Sequence, residues 1–371
     1  TCDQKVSDMI TNKKRILILG SSGYIGIALY GLLKNNGYAV SGIDNGKKSK
    51  LLEETGVQSL IHDRKHADFD IDISTQYKEL KNIIVDFNPD TIVNLAQIPS
   101  APWSMLSAET ASDTQRNNIC GALNVYWAVK ETNPDIHILQ VATAGEFSDW
   151  LYPDSLSIPE GNRVIVKYRD RDWEIPTPRY GGSWYHQAKT HASLNADYAN
   201  RIWDIKITDI CQGIVYGHYD GSPYYYDSIW GTVYNRFIAQ AVVGIPLTVY
   251  GKGGQMRSFI NIENSIGAIK LLIDNPPKDK EFKIVHQITE LYRVEGVARM
   301  IQEASDCQIQ YIDNPRIEQN TNDFNFEANK LRTLGLEVIH MRDEISKTLD
   351  VIRKYKDKIQ TEKILPTIKW K

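Results

Sequence analysis

The chain has 371 residues, 24% of them charged and 42% hydrophobic, with a formal net charge of -3 at pH 7. That is ordinary globular composition, long enough for one large or two modest domains, and its slight acidity gives no basis for a nucleic-acid partner. No apolar run approaches the roughly 18 residues of a membrane span, so no membrane insertion is expected. The four cysteines, Cys2, Cys120, Cys211 and Cys307, show neither the spacing of a metal site nor a disulfide framework, which fits a reducing, cytoplasmic setting.

In chain order, residues 1–14 are polar, lack an apolar signal core and read as a disordered N-terminal segment. Arg15–Leu19 is a short apolar run of the kind buried on both faces of a sheet. Tyr24–Asn36 then carries apolar residues at helical spacing, and Ala39–Ile43 reads as a second strand. Further strands are expected at Asp68–Ile73, Thr91–Leu95, Ile136–Ala142 and Lys206–Ile210, with helices over Thr114–Thr132 and Ser183–Arg201. Asn162–Trp173 reads as a polar hairpin inserted before the second of these helices. The alternation predicts an α/β fold, a Rossmann-like doubly wound parallel sheet. After Gly217 it loosens into Gly-, Pro- and Tyr-rich stretches, a smaller mixed α/β C-terminal substrate lobe. The expected division is a dinucleotide-binding domain over 15–217, with a returning segment near 258–275, and a substrate lobe over 218–371.

The first strand-to-helix turn reads Gly20-Ser21-Ser22-Gly23-Tyr24-Ile25-Gly26. Glycines there permit a tight turn and a close backbone approach to a pyrophosphate, and the helix N-terminus offers free N–H groups to the phosphates. The G-x-x-G-x-x-G spacing resembles the short-chain dehydrogenase/reductase families. Asp44 closes the second strand where a carboxylate accepts hydrogen bonds from an adenosine ribose and repels a 2′-phosphate, so NAD is expected over NADP. Asn45, Asp72 and Ile73 are expected to line the same cofactor site, while Lys47 and Lys48 read as a solvated pair of charges.

Tyr185-His186-Gln187-Ala188-Lys189 places a tyrosine and a lysine four apart on one helix face. A neighbouring ammonium favours a phenolate, which makes the tyrosine a usable base. Thr143, roughly 40 residues earlier at the end of a strand, stands where the short-chain dehydrogenase/reductase class that the glycine turn resembles places a hydroxyl to orient the substrate. The set fits removal of a proton from a sugar hydroxyl while hydride leaves the same carbon for NAD.

Longer stretches carry a closer resemblance. IHDR at Ile61–Arg64, SAPWSM at Ser100–Met105, NNICGALNV at Asn117–Val125 and TAGEF at Thr143–Phe147 are followed by WYHQAKTH at Trp184–His191 and QGIVYG at Gln212–Gly217. NRFIAQAVVGIPLTVYGKGGQMR at Asn235–Arg257 and NPRIE at Asn314–Glu318 complete them. On these the chain, from Arg15 to Lys371, resembles the UDP-sulfoquinovose synthase family. The resemblance implies tightly held NAD and UDP-glucose and a sequence of C4 oxidation, loss of water across C5 and C6, sulfite addition at C6 and C4 re-reduction. It implies that Thr143 orients the C4 hydroxyl, Tyr185 is the base and Lys189 tunes it. His186 is either an acid for the departing C6 hydroxyl or a structural histidine, and Glu146 is a second candidate acid. Asn118 is expected at the cofactor. Ser100, Gln212, Asn235, Arg236, Arg257 and Arg316 are expected at the substrate, the last two at its diphosphate.

Departures accompany the match. Ile98-Pro99 stands where plant-type enzymes carry a glutamine–arginine pair, Ala144 replaces a methionine, and Cys211 replaces an asparagine. Loss of a guanidinium weakens capture of anionic sulfite unless another cation or a sulfite-delivering protein takes its place. Ala144 and Gly145 also occupy the positions of the acidic pair of sugar-nucleotide 4,6-dehydratases, which removes that reading. A UDP-sugar 4-epimerase is the alternative enzyme, and a dinucleotide-sensing binding protein is set aside because both Tyr185 and Lys189 are present. Ser222–Asp227 reads as a mobile lid or as aromatic packing. Arg353–Lys371, with seven basic residues against two acidic, reads as a solvated helix and tail. A homodimer through two long helices is expected.

Overall fold

The computed structural model describes residues 13–61, 66–148, 157–323, 325–367 and 369–370. Most of the segment 1–14, with Cys2, and residues 62–64 of the IHDR stretch lie outside the described residues. Six parallel strands form the central sheet: β1 (Arg15–Leu19), β2 (Ala39–Ile43), β3 (Thr91–Asn94), β4 (His137–Val141), β5 (Ile207–Gln212) and β6 (Phe282–Gln287). Their order is β6-β5-β4-β3-β1-β2, so the chain reverses its direction of travel across the sheet between β2 and β3.

Alternation along each strand sends side chains to opposite faces. Ile16 and Ile18, with Val93, Leu139 and Val285, meet helices α1 (Tyr24–Asn35) and Ile262–Asp274. Leu17 and Leu19, with Ile92, Ile138 and Ile207, meet Tyr77–Phe87, Gly121–Thr132 and α2 (Trp184–Trp203). Both faces are covered, which is why the strands read as continuous apolar runs. At the first turn a Cβ on Gly26 would lie 2.2 Å from the Gly20 carbonyl oxygen, so only glycine lets α1 start this close to β1.

Several expectations need correction. Asp68–Ile73 touches β2 through one bridge, Ile43 to Phe69, and forms no strand. Asp68 instead accepts from Gly42 N at 2.8 Å and Ser41 Oγ at 2.9 Å, and Asp72 accepts from Ser74 N at 2.8 Å, so the segment turns away after capping the sheet edge. The single helix expected over Thr114–Thr132 begins at Ala108, because Ser107 and Thr110 form a reciprocal cap. A wide π turn over Arg116–Cys120 then interrupts it. The inserted hairpin, Arg163–Tyr168 paired with Arg171–Pro176, is not polar throughout: Val164, Val166, Trp173 and Ile175 share one face. β6, placed by the expected division in the second lobe, forms the edge of the main sheet.

The remaining chain packs around α3 (Val233–Val243), with Val294–Ser305 and Met341–Arg353 against it and strands Leu247–Tyr250 and Gly254–Asn261 beside it. No helix among the described residues is long and apolar enough to cross a membrane.

Candidate active site

A cavity of about 810 Å³ opens at the carboxyl ends of the strands, where the direction of strand order reverses. That is where open α/β sheets bind ligands. Gly20, Ser22, Gly23, Tyr24, Ile25 and Gly26 line one end. Helix α1 begins there with no side-chain cap and no acidic residue in its first turn, so its N–H groups and positive dipole end face the space. The Ser22 hydroxyl is buried with no partner among the described residues. Asp44 accepts from Ser22 N at 3.0 Å and from Gly46 N at 2.8 Å. A carboxylate with roughly four acceptor sites keeps capacity for ribose hydroxyls. Asn45, Asp72 and Ile73 line the same end. The donors, the acceptor and the close-packed turn fit a dinucleotide.

Lys47 and Lys48 are not a solvated pair. Lys47 is ion-paired with Asp113 at 2.7 Å, and the Lys48 ammonium sits 3.5 Å from the Trp230 ring centroid. Asn118 does not reach the cavity: its amide accepts from Ile98 N at 2.8 Å and donates to Ile98 O at 3.2 Å, which fixes the wall beside Pro99. Its neighbour Asn117 lines the space instead.

Thr143, Tyr185, His186 and Lys189 come together on the cavity floor. Ser183 caps α2 by accepting from His186 N, and the first turn of the helix carries Tyr185 and His186. Burial and then the Glu146 charge raise the pKa of the Tyr185 phenol well above the ordinary value, while the nearby Thr143 hydroxyl pulls it back. Lys189 does not supply the expected opposing pull: its Nζ donates to Val141 O at 2.6 Å and lies 5.8 Å from the Tyr185 ring centroid. Burial lowers the Lys189 pKa to about 7, against the charges of Glu146 and Asp209. Burial, then Arg316, Arg257 and Lys189, lower His186 to about 3, so its ring is neutral. Its Nδ1 is 3.0 Å from Ser183 Oγ. A Cβ on Gly145 would lie 2.2 Å from the His186 ring, so a dehydratase-type carboxylate at that position would displace the histidine.

Glu146 stands outside the cavity lining. Its carboxylate is buried against Arg179 at 2.8 Å and Ser193 at 3.1 Å, which leaves it no open path to a sugar.

The far end is lined by Ser100, Gln212, Arg236, Arg257 and Arg316. Ser100 donates to Ile229 O at 2.6 Å, and Gln212 donates to Gln287 Oε1 at 2.6 Å and Ser265 Oγ at 3.1 Å. Arg257 is paired with Glu318. The Arg236 guanidinium lies 4.2 Å from the Tyr250 ring centroid, with Nη1 buried and unpartnered among the described residues. Asn235 is not in the lining; it is buried beside the Tyr24 hydroxyl.

Sequence reasoning missed three parts of the wall. Gln255 lines the cavity, buried, with both amide atoms unpartnered among the described residues. The tract Ser222–Asp227 is no lid: Tyr224 and Tyr226 are fully buried, Tyr224 N donates to Ser59 Oγ at 3.1 Å, and the Tyr226 hydroxyl accepts from Gln360 N at 2.8 Å. Tyr225 and Asp227 of the tract, with Ile229 and Trp230 just after it, line the cavity. The last stretch is not a solvated tail either, because Ile359 and Ile364 are buried and Trp370 reaches the cavity beside Arg316. The only available signal was the presence of apolar and aromatic residues in a basic run.

The NAD dependent epimerase/dehydratase family model matches residues 16–289. The chloroplastic UDP-sulfoquinovose synthase of Spinacia oleracea is 32% identical over 390 residues, covering 97% of this chain and 80% of that protein. The UDP-sulfoquinovose synthase of Sulfolobus acidocaldarius is 34% identical over 388 residues, covering 96% and 98%. Among solved structures, the UDP-glucose 4-epimerase of Thermotoga maritima with UDP-glucose superposes with a TM-score of 0.71 at 19% identity, covering 92% of this chain and 99% of that one, a likeness of fold. The chain belongs to the NAD dependent epimerase/dehydratase family and, within it, to the UDP-sulfoquinovose synthases.

Proposed function

We propose that this protein converts UDP-glucose and sulfite into UDP-sulfoquinovose with NAD as its resident cofactor. The observation that carries the reading is the similarity, over 96–97% of this chain, to two UDP-sulfoquinovose synthases from a plant and an archaeon. The turn at Gly20–Gly26, with Asp44, Asn45, Asp72 and Ile73, holds the dinucleotide, and the Arg236, Arg257 and Arg316 end holds the UDP group. When bound, NAD would accept hydride from C4 and return it, and would bring the positive charge of its oxidised ring to the site.

Tyr185 takes the C4 hydroxyl proton and Thr143 orients that hydroxyl. Lys189 adds its charge to the floor of the site. Ser183 Oγ is hydrogen-bonded to His186 Nδ1 at 3.0 Å, and in the tautomer in which the hydroxyl donates, the other ring nitrogen carries the proton. A neutral imidazole of this kind is a hydrogen-bond donor to substrate oxygen, in the way helix-terminal histidines polarise carbonyls in other enzymes. It is not a strong acid. Arg179 holds Glu146 as an ion pair, so Glu146 supports the floor and does not protonate the sugar.

The 4-epimerase alternative needs the same Thr, Tyr and Lys set but never breaks the C5–H bond. Incubating the protein with UDP-glucose in deuterated water separates the two. Reversible abstraction of the C5 proton, with return of a deuteron from solvent, introduces deuterium at C5 even before sulfite is added. UDP-galactose without deuterium would overturn the reading in favour of epimerisation.

A further inference from the structure

Three arginines line the far end of the cavity, and two of them rest against aromatic rings. Arg257 is paired with Glu318, whose other carboxylate oxygen accepts from Asn314 Nδ2 at 2.8 Å. Both oxygens of that carboxylate are therefore engaged, and Arg316 makes no ion pair among the described residues. What lies against its guanidinium is Trp370, with the ring centroid 5.4 Å away. Arg236 is held in the same manner, 4.2 Å from the Tyr250 centroid. Trp370 and Tyr250 both line the cavity.

The chain that brings Trp370 to this place is fixed on either side of the gap it crosses. Upstream, Ile359 and Ile364 are buried in the core around α3. Lys363 O accepts from Ser228 N at 2.9 Å, and Lys363 Nζ donates to Thr55 O at 3.0 Å. At the cavity, Trp370 N donates to Pro315 O at 2.9 Å, one residue before Arg316. Arg316 N in turn donates to Asn314 Oδ1 at 3.0 Å. Backbone contacts thus set the ring and the guanidinium against each other, and both residues are half-buried.

We propose that Trp370 is a positioning residue for substrate binding: its ring seats the Arg316 guanidinium in the cavity wall, where its N–H groups meet the diphosphate of UDP-glucose. A ring suits this task better than a carboxylate. A carboxylate would occupy the N–H fork and cancel its charge, and the diphosphate would have to displace it. A ring face attracts the cation through its quadrupole and takes none of the hydrogen-bonding edge. The guanidinium loses side-chain freedom before the ligand arrives, which lowers the cost of binding while the charge stays available. Arg257 and Glu318 have a separate part, since their ion pair fixes the loop Asn314–Glu318 that carries Arg316.

The experiment measures UDP binding to the NAD-loaded protein by calorimetry, and steady-state kinetics with UDP-glucose and sulfite, for the wild type, Trp370→Leu and Trp370→Phe. Leucine keeps apolar bulk without a ring face, and phenylalanine keeps a ring. Trp370→Leu should raise the Kd for UDP and the KM for UDP-glucose by roughly 3- to 30-fold, the worth of one cation–π contact. Its kcat should change by less, its NAD content should be unchanged, and Trp370→Phe should recover most of the loss. On an Arg316→Met background, Trp370→Leu should cost no more than roughly 2-fold, because the ring acts through the guanidinium. Unchanged UDP affinity in Trp370→Leu overturns the proposal. So does an equal loss on the Arg316→Met background, which would mean that the ring meets the nucleotide itself.

The inference rests on the reading that this end of the cavity holds the UDP group. A wild type that binds UDP but forms no sulfonated sugar fails the proposed function, and the variants still decide the role of Trp370. A wild type that does not bind UDP overturns both.

Discussion

Tyr185 and Lys189 were legible because a four-residue separation on a helix is a geometric statement that needs no tertiary information. Thr143 was legible because it ends a buried strand. Their protonation was not legible. The sequence places a lysine one turn from the tyrosine, but whether that lysine lowers the phenol depends on where Nζ points, and it points to Val141 O. Glu146 shows the same limit: only the fold brings Arg179, distant in sequence, onto its carboxylate. At this scale Tyr185→Phe should retain fold and NAD content and lose roughly 10²–10⁴-fold in turnover, measured by steady-state assay. Thr143→Ala should lose less, because it misorients the hydroxyl without removing the base. Near-normal turnover by Tyr185→Phe would remove the phenol from the proton path.

The elements were read best where both faces of a strand are buried. β1 and β2 match their expected ranges because a short, mostly apolar run that ends at a turn reads as a strand without knowledge of its partners. Asp68–Ile73 failed for the opposite reason: Ile71 and Ile73 are buried, but Phe69 is exposed, and Asp68 and Asp72 take backbone N–H groups and stop a ladder from extending. The π turn over Arg116–Cys120 left no sequence mark, since each residue in it tolerates a helix. The turn at Gly20–Gly26 carries its own prediction. A cofactor held by an uncapped helix end and Asp44, and regenerated within each turnover, has no reason to leave. Protein purified and then denatured should release NAD, assayed enzymatically in the supernatant. NADP in its place would contradict the role of Asp44 at the ribose.

At the scale of the whole molecule, the tract after Ser222 ties the two halves together over the cavity. Trp230 stacks on Trp103 at 5.2 Å, donates to Thr55 at 3.2 Å and receives the Lys48 ammonium. None of this was legible, because Lys48, Trp103 and Trp230 are widely separated in sequence and carry no motif. Trp230→Ala should lower stability by about 3–5 kcal/mol, the usual range for a buried tryptophan, and should let NAD dialyse away. Chemical denaturation and cofactor content after dialysis check both. Full retention of NAD would mean that the tract packs without clasping the cofactor. The proposed chemistry itself is tested most directly by mass spectrometry of the sugar nucleotides formed from UDP-glucose and sulfite by the NAD-loaded protein. The account predicts UDP-sulfoquinovose, formed only when sulfite is present. UDP-galactose as the sole product, with or without sulfite, would contradict it.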